Sequence, residues 1–128
     1  MKRFFKSLFG GHTNTILIAE PDPMLRQLEC RALSPNYEIV STDSAEEAVR
    51  TAAQHETEID LLLTEAQLPR LDGWELAELV KLDYPDLKVV YLSGFTDADR
   101  LRQAVRDALE GAQSDRGPLK CTVHTPSV

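Results

Sequence analysis

Four places in this 128-residue chain set a reactive side chain at or near the end of a short apolar run. Glu20 follows Ile16-Leu17-Ile18-Ala19, with Pro21 and Asp22 behind it. Glu65 follows Ile59–Leu63 and Thr64, and Ser93 follows Leu87–Leu92 and precedes Gly94. Lys120 lies in the run Leu119–Val123, with Thr122 two residues further on. Carboxylates gathered from neighbouring strand ends can hold a hard divalent cation, because Mg²⁺ is commonly bound through one or two carboxylates in near-octahedral oxygen geometry. A hydroxyl and an ammonium beside them can donate to anionic oxygens. The other reactive side chains form no such set. His12, His55 and His124 are not at metal-ligand spacing, and Cys30 and Cys121 stand far apart in sequence. No glycine-rich phosphate loop, nucleophile elbow or catalytic triad pattern is present.

The elements that would position these groups alternate. Ile16–Ala19 is wholly apolar, the signature of a strand buried on both faces. Pro23 suits a first helical position, and Met24, Leu25, Leu28 and Leu33 form an apolar stripe ended by Pro35-Asn36. Tyr37–Ser41 alternates weakly and reads as a second strand. Ser44 with Glu47 is a capping-box pattern opening a helix to about Gln54. Ile59–Leu63 is a third strand, and Pro69–Gly73 a turn-rich loop. Trp74, Leu76, Leu79, Val80 and Leu82 recur at helical spacing until Tyr84-Pro85. A fourth strand at Leu87–Leu92, a fourth helix at Asp97–Leu109, a polar loop at Gly111–Pro118 and a fifth strand at Leu119–Val123 complete the pattern. Such alternation requires crossover helices on both faces of a mainly parallel sheet, whose functional crevice lies at the carboxyl ends of the strands.

Three segments together resemble one family, the receiver domain of two-component response regulators, over about residues 14–126. Asp60-Leu61-Leu62-Leu63-Thr64-Glu65-Ala66-Gln67-Leu68-Pro69-Arg70-Leu71-Asp72-Gly73 is similar to the family's third strand, phosphoacceptor position and following loop. Ile16-Leu17-Ile18-Ala19-Glu20-Pro21-Asp22-Pro23 is similar to its first strand and acidic pocket. Val89-Val90-Tyr91-Leu92-Ser93-Gly94-Phe95-Thr96 is similar to its fourth strand and switch hydroxyl. The resemblance implies a three-layer α/β fold of flavodoxin-like type with a five-stranded parallel sheet. It also implies transfer of a phosphoryl group from a kinase histidine to an aspartate. That chemistry needs a carboxylate nucleophile, a carboxylate-held Mg²⁺, and a cation and hydroxyl for the equatorial oxygens.

The chain departs from this set. Glu65 stands at the phosphoacceptor position instead of aspartate, one methylene too long for in-line attack, and a misplacement of ~1 Å can cost ~10²-fold. Either Glu65 imitates the phosphorylated state or the site is silent, with only the interaction surface kept. Pro21 replaces one of two adjacent acids, leaving Glu20 and Asp22. No metal is therefore expected, Mg²⁺ binding only weakly if at all, with Glu20, Asp22 and Glu65 the weak candidates. Ser93 fits the switch position. The lysine position falls on Lys120, which Cys121 follows where the family has proline, or on Thr122 in a second register that removes the cation.

The body of the chain is acidic. Residues 1–13 contain Lys2, Arg3 and Lys6 and no acid, so the rest carries −10 of the net −7. That charge repels phosphate backbones and argues against nucleic acid as a partner. No apolar run approaches a membrane span, and the cysteines suggest no disulfide framework, so the reading is cytoplasmic. The domain division is a basic amphipathic leader at 1–13 and a receiver-like domain at 14–128. Thr125-Pro126 reads as a helix start just before Val128, so the final helix is expected to be missing and one sheet face bare. Phe4, Phe5, Leu8 and Phe9 fall on one helical face, and three fates for this leader stand open: docking in the gap, remaining disordered, or lying on anionic lipid. The expected function is a non-enzymatic pseudo-receiver without cofactor. Its partner would be a protein, a histidine kinase or an output protein, with a homodimer left open. The alternative is an active receiver accepting a phosphoryl group from a histidine kinase.

Overall fold

The computed structural model describes residues 13–93 and 97–111. Eight elements follow in strict alternation: β1 (Thr15–Ala19), α1 (Pro23–Leu33), β2 (Glu38–Thr42), α2 (Ala45–Gln54), β3 (Leu61–Glu65), α3 (Gly73–Asp83), β4 (Lys88–Leu92) and α4 (Ala98–Glu110). The strands form one parallel sheet in the order β2-β1-β3-β4. Composition sets that order. β1 is buried along its whole length and Leu61-Leu62-Leu63 of β3 likewise, so both need cover on two faces and take the centre. β2 and β4 carry exposed residues and take the edges.

Side-chain alternation divides the core in two. Leu17, Ala19 and Leu62 face Ala45, Ala48 and Ala52 of α2 and Leu76, Ala77 and Val80 of α3. Ile16, Ile18, Leu61, Leu63, Val90 and Leu92 face Ala32 and Leu33 of α1 and Leu101, Ala104 and Val105 of α4. Each helix start is capped by a side chain: Asp22 for α1, Ser44 for α2, Asp72 for α3 and Asp97 for α4. Each such cap contributes about 1 kcal/mol. Ser44 accepts the Glu47 N–H, as the sequence pattern predicts, and a reciprocal capping box joins Asp72 to Glu75. No helix among the described residues is long and apolar enough to cross a membrane.

The α/β architecture with a parallel sheet agrees with the sequence reading, and four points differ. First, the described residues contain four strands; the expected fifth, Leu119–Val123, lies outside them, as do the leader, Lys120, Thr122 and the Thr125-Pro126 helix start. Second, the sheet face beside α1 is not bare, because α4 packs there. Right-handed crossovers place α2 and α3 on one face and α1 on the other, and a strand added outside β4 would need its helix on the α2/α3 face. A helix on the α1 face is no such crossover, so the described sheet stops at β4. Third, β3 begins two residues later than Ile59, because Asp60 pairs outward: its N–H donates to the Thr15 carbonyl and its carboxylate accepts the Thr15 N–H. Fourth, Met24 of α1 and Leu82 of α3 are exposed at 78% and 77%, although both fit the apolar stripes, because the sheet reaches only one narrow face of each helix.

Tyr84 is fully buried just after α3, and its hydroxyl donates to the Ala52 carbonyl over 2.9 Å. Ala52 lies in the last turn of α2, whose carbonyls have no partner within the helix. Replacing Tyr84 by Phe is expected to lower unfolding free energy by about 1–2 kcal/mol, read by urea denaturation. An unchanged midpoint would show that this bond does not tie the two helices.

Candidate functional site

The carboxyl ends of β1 and β3 meet the amino-terminal half of α1. Glu20 extends β1 by one residue, its N–H donating to the Thr42 carbonyl, and is 2% exposed. Its Oε2 accepts the Asp22 N–H over 3.2 Å. The Arg26 guanidinium donates to the Glu20 carbonyl at 2.7 Å and reaches that of Pro21 at 3.5 Å, which pins this turn from the helix side. Glu65 is the last residue of β3, paired with Leu92 of β4, and is half-buried.

The third acid at this place was not among the candidates. Glu29 of α1 is 3% exposed, and one oxygen from each of Glu20, Glu29 and Glu65 lies within 4.8 Å of the others. Its signal was present in the sequence. Leu25, Glu29, Ala32 and Leu33 share one helical face, so an acid interrupts a stripe that is otherwise apolar.

Asp22, expected in the pocket, is exposed, and its Oδ1 caps α1 by accepting the Met24 and Leu25 N–H groups at 2.8 and 3.3 Å. It is not part of the cluster. Pro21 brings this about: it fixes φ and spaces Asp22 to the N-cap. Ser93 follows β4 directly and is exposed. The structure thus brings Glu20 and Glu65 together, adds Glu29, and leaves Asp22 outside.

Crowding three carboxyls in a buried place disfavours their charged forms. Glu20 is raised to about 7, chiefly by burial, with the Glu29 charge adding to the rise and the contact with Glu65 and the Asp22 N–H opposing it. Glu29 is also raised to about 7, again chiefly by burial, with the Glu65 charge adding while its contact with Glu20 and the Arg26 charge oppose. Glu20 Oε1 and Glu29 Oε1 are buried and reach no hydrogen-bond donor among the described residues. With one oxygen of each of the three acids within 4.8 Å of the others, a proton or a cation between carboxyls is what makes such an arrangement stable.

Mg²⁺ holds its oxygens at 2.0–2.1 Å, so opposite ligands of such an ion lie about 4.2 Å apart. One carboxylate oxygen from each of three acids within 4.8 Å of the others, in a place where Glu20 and Glu29 each also have a buried oxygen that no described donor reaches, fits a hard divalent cation in type and spacing. The sequence expectation of no metal rested on Pro21 and did not include Glu29.

Known proteins resemble this chain in sequence and in fold. The family model described as response regulator receiver domain matches residues 16–112. The response regulator protein FleR of Pseudomonas aeruginosa is 32% identical over 92 residues, covering 71% of this chain and 19% of FleR. The sensor kinase CckA of Brucella abortus is 28% identical over 98 residues, covering 76% of this chain and 10% of CckA. The chain therefore spans a fifth or less of the length of these relatives. Among solved structures, the signal receiver domain of an HD domain-containing protein from Pseudomonas fluorescens Pf-5 superposes with a TM-score of 0.69 at 24% identity, covering 81% of this chain and all of that one. A CheY-like response regulator receiver domain protein from Methanospirillum hungatei JF-1 gives 0.69 at 19% identity, covering 82% and 99%. At these identities the superpositions speak for the fold.

Proposed function

Because this chain belongs to the response regulator receiver domain family, we propose that it is a pseudo-receiver. In this reading it is a signalling module of a two-component or phosphorelay system that binds a protein partner without being phosphorylated. The observation that carries this reading is the state of Glu65. It ends β3, where the family's phosphoacceptor aspartate is expected, and its carboxylate is drawn into a cluster with Glu20 and Glu29. A nucleophile must stand within about 3–3.5 Å of the phosphorus and in line with the leaving group, and a carboxylate engaged inward with an extra methylene meets neither condition.

Glu20, Glu29 and Glu65 are the residues that would hold a divalent cation, which in this family's chemistry neutralises charge on a transferring phosphoryl group. In a pseudo-receiver the same residues serve to shape the pocket. Ser93 stands exposed at the neighbouring strand end as a hydroxyl available to an anionic group. The partner is a protein, a histidine kinase or an output protein.

Incubation of the full chain with a small phosphodonor and Mg²⁺, followed by intact mass, tests the proposal. The expected result is no phosphate increment. A stoichiometric increment that disappears in Glu65→Gln would overturn it in favour of an active receiver.

A further inference from the structure

We infer that Glu29 supplies the third carboxylate of a divalent-cation site with Glu20 and Glu65, from a helix position that takes over for the acid missing at Pro21. Glu29 sits on the buried face of α1, on the same stripe as Ala32 and Leu33, which are 5% and 0% exposed. A carboxylate at such a place is costly unless something compensates its charge.

Among the described residues that compensation is partial: the Arg26 charge and the contact with Glu20 favour the charged form of Glu29, but burial outweighs them. Glu29 Oε1 and Glu20 Oε1 reach no hydrogen-bond donor among the described residues. Arg26 is the basic side chain at this turn, and its NH1 is directed at the backbone carbonyls of Glu20 and Pro21. Asp22, the other acid nearby, has its Oδ1 committed to the first turn of α1. The buried face of α1 therefore delivers a carboxyl side chain to two others, with one oxygen of each within 4.8 Å of the others.

An all-oxygen, all-carboxylate set selects hard ions, Mg²⁺ or Ca²⁺, over thiolate- or imidazole-seeking metals. Between those two the arms of the experiment decide. The inference concerns Glu29 and does not depend on whether a phosphoryl group is ever accepted.

Isothermal titration of the chelator-treated full chain with MgCl₂ and, separately, CaCl₂ is expected to show one site for at least one ion. Glu29→Gln, which keeps the shape of the side chain, is expected to weaken that ion about tenfold or more. Asp22→Asn, which keeps a capping oxygen, is expected to bind within about twofold of the parent. In the unsubstituted chain, Mn²⁺ is expected to broaden the amide resonances around Glu29 and Glu65 before those around Asp86, which precedes β4 at the amino-terminal end of the strands, a measurement that needs no variant to fold. Absence of binding by both ions overturns the inference. So does unchanged affinity in Glu29→Gln, or a loss in Asp22→Asn equal to that in Glu29→Gln. A phosphate increment in the mass experiment bears only on the pseudo-receiver reading, and the titration bears only on Glu29.

Discussion

Gly73→Ala is expected to be the most damaging small substitution in the described chain. Gly73 opens α3 and lies against the end of β3, its N–H donating to the Ala66 carbonyl at 3.0 Å. A Cβ built there would clash with the carbonyl oxygen of Glu65 and stand 3.1 Å from Thr64 Cγ2 and 3.3 Å from Ala66 Cα. Two of these three obstacles are backbone, so no rotamer change relieves the clash, and the start of α3 must move off the strand. Overpacking of this kind costs about 1–3 kcal/mol, occasionally more. In a domain of this size each kcal/mol shifts the midpoint by roughly 3–6 °C. The melting temperature should therefore fall by roughly 3–18 °C, and the cluster at Glu65 should be disturbed with it. A midpoint within about 2 °C of the parent would show that the approach of α3 to β3 is looser than described.

The second large effect is on pH dependence in the presence of a chelator. Glu20 and Glu29 are raised to about 7 in the folded protein, burial being the main cause, from an ordinary value of 4.5. The groups facing them are Glu65 from β3 and Asp22 and Arg26 from the α1 side. A carboxyl raised by folding binds its proton in the folded state while the unfolded chain has already released it. The stability this contributes is therefore fully present below about pH 4.5 and is lost as pH rises through about 7. Since Glu20 and Glu29 act on each other, the loss belongs to the pair and is on the order of a few kcal/mol. The melting temperature is expected to fall between about pH 5 and pH 8. Glu29→Gln should flatten that slope, because it removes one of the crowded acids. A flat or rising profile in the parent would overturn the account of the cluster.

Much of this architecture was legible because local patterns and tertiary demands coincide. The unbroken apolar run Ile16–Ala19 could only be a central strand, and Ser44, Pro23 and Tyr84-Pro85 mark helix ends that the structure keeps to within a residue or two. Glu20 and Glu65 were legible as a pair because strand ends in a parallel sheet converge. Glu29 was missed because pattern reading assigns an apolar stripe its hydrophobic members and passes over an acid among them. The side of the sheet taken by α4 was missed for a different reason. Leu101, Ala104 and Val105 make an amphipathic helix that would suit either face, and the choice depends on where the chain goes next, which local sequence does not carry. Asp22 was legible as an acid near the pocket, but a short side chain two residues after a strand can either line a cleft or cap a helix, and only backbone geometry decides between them.

The seat of α4 beside α1 also fixes the exit of the chain. α4 starts near the acids and runs for 13 residues, about 20 Å, to end at Gly111, whose φ of 74° closes it in a left-handed turn. Gly111 therefore stands a helix length away from Glu20, Glu29 and Glu65, and the α1–α4 flank is the stretch of packed side chains that connects the two ends.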